Sequence, residues 1–239
     1  MSNDISVGAY NGRTNIVTDY ALLMAGLEGN DTMDGAMGGS AGGRGSHAIM
    51  TGNLFRMQGG EGADWVRAGL PAGSSDEGVF TFRDNRVDVR GGCGDDTVGV
   101  WTDSLQVLFD NRITIDGGRG TDTVALDLTY ASEGFNFDFS DGYNGRLTSG
   151  TRLKGFEAAE AYGGTGDDTF QGGRGNDIFD GGDGVDVVIL DGERCDYEVT
   201  RLDEGGMQIT DLRQGCTGGT DLYDNVEAFV FDNGFFDLT

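Results

Sequence analysis

The apolar residues of this chain fall in short clusters of period two, set between glycine-rich turns. Residues 78–88 (GVFTFRDNRVD), 104–115 (SLQVLFDNRITI) and 135–139 alternate apolar and polar side chains, as half-buried strands do. No apolar run approaches the roughly 20 residues of a membrane-spanning helix. Superposed on the alternation is a nine-residue frame at 26–34 (GLEGNDTMD), 59–67 (GGEGADWVR), 91–99 (GGCGDDTVG) and 117–125 (GGRGTDTVA). It recurs in tandem at 163–171 (GGTGDDTFQ), 172–180 (GGRGNDIFD) and 181–189 (GGDGVDVVI). Position six is always aspartate: Asp31, Asp64, Asp96, Asp122, Asp168, Asp177 and Asp186. Position eight is always apolar: Met33, Val66, Val98, Val124, Phe170, Phe179 and Val188. Leu27 stands where the frame has glycine.

The frame has a physical reading. Glycines at positions one, two and four permit a tight turn with inward-pointing carbonyls, and the aspartate adds a hard oxygen ligand. The three residues from position seven form a short strand whose middle side chain is buried. A donor set of carboxylates and carbonyls suits Ca²⁺ and suits zinc or copper poorly. A single copy is compatible with a glycine-rich linker; seven aligned copies are not.

Charge supports the cation. With 41 acidic and 16 basic residues the net charge is 16 − 41 = −25, which opposes nucleic acid and anionic membranes as partners. Aromatic residues at 10% are too many for a disordered acidic tail. Glycine, 45 of 239 residues, contributes no apolar area, so the fold needs stabilisation beyond hydrophobic burial. The N-terminus has no secretory leader pattern, and the single histidine, His47, excludes most histidine-based chemistry.

The nonapeptide resembles the RTX (repeats-in-toxin, hemolysin-type) calcium-binding repeat, GGxGxDxUx, where U is a large apolar residue. The resemblance implies an all-β fold, a right-handed parallel β-roll in which two nonapeptides make one turn and Ca²⁺ lies between loops one turn apart. Successive frames start 33, 32, 26, 46, 9 and 9 residues apart, so only the last three form a regular roll. Residues 1–134 are expected to be an irregular β-solenoid with four spaced calcium loops and surface insertions at 38–45 and 70–78. Residues 135–192 are the tandem roll, and 193–239 a C-terminal β-hairpin cap. The hairpin is read from 197–202 and 207–212, alternating around 203–206. Residues 219–232 (GTDLYDNVEAFVFD) resemble the closing segment of secreted RTX proteins, and 153–162 echo their middle. The last six residues fit either an export signal or a terminal strand.

The expected metal ligands are Asp31, Asp64, Asp96 and Asp122, with Asp168, Asp177 and Asp186 in the tandem block and loop carbonyls such as Gly163, Thr165, Gly172, Arg174, Gly182 and Gly184. Asp168 and Asp186, 18 residues apart, should share one ion on one edge of the roll. Asp177 faces the other edge, where one turn away lie Ala159 and Cys195, with Glu157, Glu160 and Asp196 as the nearest carboxylates; a weaker site is expected there. Pairing Leu202 with Met207 sets Cys195 opposite Gln214 and predicts a Cys195–Cys216 disulfide, the alternative being two buried thiols. Cys93 would stay free or link two chains.

Catalysis is not expected. Gly38-Gly39-Ser40-Ala41-Gly42 satisfies GxSxG, but it sits in a glycine run without the flanking strand and helix of a nucleophile elbow. No HExxH occurs, no carboxylate pair stands out, and Trp65 and Trp101 read as packing rather than sugar platforms. The function expected is a non-catalytic, calcium-binding structural or binding component outside the cell (cell surface, matrix, surface layer or virion surface), exported without a signal peptide and folding on calcium. Its partners would be calcium and either itself or a surface component, without membrane insertion. The alternative is an accessory module of, or itself, a secreted polysaccharide-active enzyme.

Overall fold

The computed structural model describes residues 5–10, 14–42, 46–70, 78–104, 107–108, 110–140, 144–147, 150–203, 205–213 and 219–237. The chain winds as a parallel β-solenoid. Its first coil is β1 (Ile5–Tyr10), β2 (Thr14–Thr18) and β3 (Ala21–Ala25), and its second β4 (Thr32–Gly42), β5 (Ser46–Thr51) and β6 (Leu54–Glu61). The third is β7 (Trp65–Gly69), β8 (Gly78–Arg83) and β9 (Arg86–Cys93). Each strand pairs in parallel with its counterpart one coil away, so these coils are three-sided.

Among the described residues the third side then ends. β10 (Thr97–Trp101) and β11 (Arg112–Arg119) continue two sheets, while the β2–β5–β8 sheet stops at three strands. The strand expected over 104–115 is realised only from Arg112; ahead of it Val107 and Leu108 lie in a helical turn, buried, and 105, 106 and 109 lie outside the described residues. β12 (Thr123–Asp127) leads to a meander of β13 (Asn136–Asp138), β14 (Asn144–Leu147) and β15 (Arg152–Lys154). The two-sided roll follows with β16 (Ala158–Tyr162), β17 (Thr169–Gln171), β18 (Ile178–Asp180) and β19 (Val187–Ile189). It is closed by β20 (Tyr197–Leu202), β21 (Gly205–Asp211), β22 (Thr220–Asp224), β23 (Ala228–Phe231) and β24 (Gly234–Asp237). The two long sheets run unbroken across residues 134 and 192.

Alternation puts one residue of each frame into a shared core. Met33, Val66, Val98, Val124 and Ala159 stack in register along one sheet, all buried. Where the coil narrows, aromatics fill it. Phe170 lies between Phe137 and Phe179 at 5.0 and 4.9 Å, nearly parallel to both. Antiparallel pairing of β20–β21–β22 and β23–β24 ends the two sheets, so the last parallel edges are covered.

Two expectations need correction. Gly38–Gly42 is not an insertion loop but the end of β4, paired with β1, so the GxSxG run lies in a strand; 43–45 and 71–77 lie outside the described residues. The hairpin pairs Arg201, not Leu202, with Met207, because a bulge intervenes before the turn. The reading of the tryptophans as packing agrees with the structure: Trp101 lies against Gly69 on the neighbouring strand, and Arg67 sits 4.9 Å over the Trp65 ring.

Candidate metal centre

The frame aspartates form a column along one corner of the solenoid. Each side chain lies under the coil before it and caps it. The backbone N–H of Asp31 donates to Asp64 Oδ1, that of Asp64 to Asp96 Oδ1, and that of Asp96 to Asp122 Oδ1, each at 2.8 Å. The N–H of Asp122 donates to Glu157 Oε2 at 2.7 Å, which ends the column. A second column occupies the opposite edge of the roll. There Phe135 N–H donates to Asp168 Oδ1 (2.9 Å), Asp168 N–H to Asp186 Oδ1 (2.7 Å) and Asp186 N–H to Glu227 Oε2 (2.7 Å).

One carboxylate oxygen is thus used in holding the coils together; the other is left over. Oδ2 of Asp64, Asp96, Asp122, Asp168 and Asp186 is buried with no hydrogen-bond partner among the described residues. A buried anionic oxygen without a partner is strongly unfavourable. Each points at a small space lined by oxygen: a Cβ on Gly59 would collide with Asp64 Oδ2 and the Gly91 carbonyl, and one on Gly91 with Asp96 Oδ2 and the Gly117 carbonyl. The same holds at Gly163, between Asp168 Oδ2 and the Gly181 carbonyl, and at Gly181, between Asp186 Oδ2 and the Asn225 carbonyl. Only glycine leaves this space open, and Gly92 and Gly94, with φ of 132° and 126°, supply the turn. The donor set is one or two carboxylates with backbone carbonyls, and among the described residues no three His, Cys, Asp or Glu side chains gather about one point. Such a set fits calcium.

Burial, with neighbouring carboxylates adding to it, pushes the Asp168 carboxyl up to about 7 and those of Asp122 and Asp186 to about 6. Asp96 moves the same way for the same first reason. In the metal-free loops these four carboxyls therefore give up their protons at higher pH than a free carboxyl does.

Asp168 and Asp186 lie one turn apart on the same edge, and Asp177 lies on the other, as the 18-residue spacing requires. Around Asp177 the expected neighbours are only half right. Ala159 does lie one turn below, donating its N–H to Asp177 Oδ1 at 2.8 Å, but the neighbour above is Asp221, not Cys195 or Asp196. The chain leaves the roll for the β20–β21 hairpin and returns with β22, so 44 residues replace 18. Asp177 Oδ2 accepts the Gly173 N–H at 2.7 Å, and the buried Asp221 accepts from Tyr223 at 3.1 Å. Burial, and then Asp177, push the Asp221 carboxyl up to about 8. A Cβ on Gly163 would meet both Asp168 Oδ2 and the Gly181 carbonyl, while one on Gly182 or Gly184 would meet the carbonyl of Gly164 or Gly166. Gly172 lies against Asp177 Oδ2, and Thr165 donates its N–H to the Ala131 carbonyl at 3.0 Å. Asp31 is half-buried, its Oδ2 accepting from Leu27 N–H at 3.2 Å.

The cysteine expectation fares differently. Cys195 is an exposed free thiol in the 3-10 turn Arg194–Asp196, with Sγ 3.7 Å from Glu193 Oε2, while Cys216 lies outside the described residues. Cys93 is also free and exposed.

Two further features carry the corners. Residues 154–157 (KGFE) and 224–227 (DNVE) are the same device: a left-handed Gly155 or Asn225 (φ of 65° and 49°), a buried Phe156 or Val226, and a glutamate that caps the last aspartate of its column. The echo between 153–162 and the closing segment thus has a structural cause. At the corner between the second and third sides, Asn53, Asn85 and Asn111 form a ladder. Asn53 N–H and Nδ2 donate to Asn85 Oδ1, and Asn85 N–H and Nδ2 to Asn111 Oδ1, at 2.9–3.0 Å. Its sequence signal is the asparagine after a left-handed residue, Gly52 or Asp84.

The family model of the RTX calcium-binding nonapeptide repeat matches residues 161–193, in four copies. That block, which contains the Asp168–Asp186 column, is a calcium-binding repeat. A comparison with curated proteins finds none that matches the chain.

Proposed function

We propose that this chain is a calcium-organised scaffold working outside the cell, as a structural or binding component rather than an enzyme, and that both aspartate columns take part. The observation that carries the reading is the set of five buried, unpartnered Oδ2 atoms, three of which (Asp64, Asp96, Asp122) lie outside the matched block. Asp31 and Asp177, with the carbonyls of Gly163, Thr165, Gly172, Arg174, Gly182 and Gly184, remain proposed contributors. Occupied by five ions, the chain would carry −25 + 10 = −15. Millimolar extracellular calcium would fill such sites and submicromolar cytosolic calcium would leave them empty, so folding follows export. Circular dichroism in chelator and then calcium tests this: a β-rich spectrum should appear with the metal, and a spectrum unchanged by chelator would refute it.

A further inference from the structure

The two long sheets carry opposite charge on their outer faces. Of the 16 basic residues of the chain, seven project outward from β6, β9, β11, β14 and β15 of one sheet. Register aligns them in rows across the strands. Arg86 and Arg112 are adjacent in one, and Arg152 and Arg146 in the next, where Thr114 and Asp88 separate them from Arg56. Arg90 and Lys154 flank Asp116 in the third. Asp88 and Asp116 project outward among them and Asp138 of β13 lies beside Arg146, so the face carries 7 − 3 = +4 in a chain of net charge −25. Asp88 is itself enclosed by Arg56 (3.1 Å), Arg90 (2.9 Å) and Arg86 (3.8 Å), so the outermost charge is cationic.

The other long sheet reverses the sign. Asp34, Asp127, Glu160, Asp180 and Asp224 project outward there, with Arg67 as the one base among its described parallel strands, for a balance of 1 − 5 = −4. Both faces are ladders with the same strand spacing, about 4.8 Å. Rows of guanidinium groups and rows of carboxylates can therefore meet rung by rung, a pairing in which arginine forms two-pronged contacts.

We infer that a second copy of this chain is the partner of each face, the arginine face of one molecule seating on the acidic face of the next. The five strands of the arginine face, about 4.8 Å apart and about 17 Å long, give roughly 410 Å² per face, or roughly 820 Å² per contact. That is below the usual specific interface, so single contacts are weak and concentration-dependent. The two faces are different surfaces of one molecule, which makes the contact head-to-tail, closing into a ring or extending as an open stack. Net charge resists approach at very low salt, where the Debye length is about 30 Å; at about 0.1 M it is about 10 Å and the contacting faces decide. This inference goes beyond the calcium reading and stands on different residues.

Sedimentation velocity of the calcium-saturated chain tests it. Sedimentation should rise with concentration at about 0.1 M salt and stay monomeric at about 1 M, where screening falls to about 3 Å. Arg86→Glu with Arg112→Glu and Arg152→Glu should abolish the rise; all three are exposed strand positions, and circular dichroism verifies the fold. Adding Asp127→Lys, Glu160→Lys and Asp224→Lys to that variant should restore association. Should the six-fold variant not fold, mixing the two triple variants must give a complex that neither forms alone. A wild-type chain monomeric at every concentration, or charge-swapped partners that ignore each other, overturns the proposal. A monomer retained on a sulfated polysaccharide resin through the same arginines also overturns it and gives the face to a polyanion.

Discussion

Asp186 joins two roles in one side chain, and two substitutions separate them. Its Oδ1 accepts the buried Asp168 N–H at 2.7 Å, and its Oδ2 points, unpartnered, beside the Asn225 carbonyl. Asp186→Asn keeps an oxygen for the N–H and removes the charge. Asp186→Ala removes both and leaves the N–H unpaired in a residue that is itself buried, costing about 1–3 kcal/mol. A calcium ion held at about 1,000 times its dissociation constant adds about 4 kcal/mol. For a chain of this length each kcal/mol moves Tm by about 2–4 °C. In saturating calcium Asp186→Asn should therefore lower Tm by roughly 8–16 °C, and Asp186→Ala by roughly 2–12 °C more. Calorimetric titration should show both losing the same single high-affinity ion. Asp168→Ala should lose that ion too, and the double variant should lose no more than either single one. Wild-type calcium stoichiometry in Asp186→Asn would show that the carboxylate does not bind the metal. Equal stability of the Asn and Ala variants would show that the cross-coil hydrogen bond contributes nothing.

Other outcomes follow from the same structure. The carboxyls of Asp122, Asp168 and Asp186 are raised in the folded chain to about 6, 7 and 6 from an ordinary 3.8, so the metal-free fold binds protons that the unfolded chain has released. In chelator its stability should be greatest below about pH 4 and fall as pH rises toward 7, with calcium uptake at pH 6 releasing protons; titration in buffers of different ionisation enthalpy measures this. Asn85→Ala removes the middle rung of the buried corner ladder and strands partners on both sides, so urea unfolding should show a loss of at least about 3 kcal/mol. Phe170→Ala opens the aromatic stack between Phe137 and Phe179 and should cost about 3–5 kcal/mol by the same assay, without changing the calcium count.

The periodic parts were legible in the chain because their physics is local. A glycine turn that leaves room for an oxygen, an aspartate six positions in, and a buried residue two further on specify one corner and one strand wherever they occur. The 18-residue separation of Asp168 and Asp186 places them on one edge for the same reason: a two-strand coil of fixed length admits no other register. What lies above and below each loop is decided by how long the intervening coil is, and that length is set by tertiary packing. The third sheet fills coils of 32 and 33 residues and has no strand among the described residues of the 26-residue coil, where Val107 and Leu108 lie in a buried helical turn instead. The β20–β21 excursion likewise brings Asp221, 44 residues away, onto Asp177. Glu157 and Glu227 end the columns because a shorter turn replaces the glycine loop there, and its capping role shows only once the coils are stacked. The outer-face charges follow the same division. Each strand fixes which of its residues point outward, but only the register between strands gathers seven of the 16 cations onto one face.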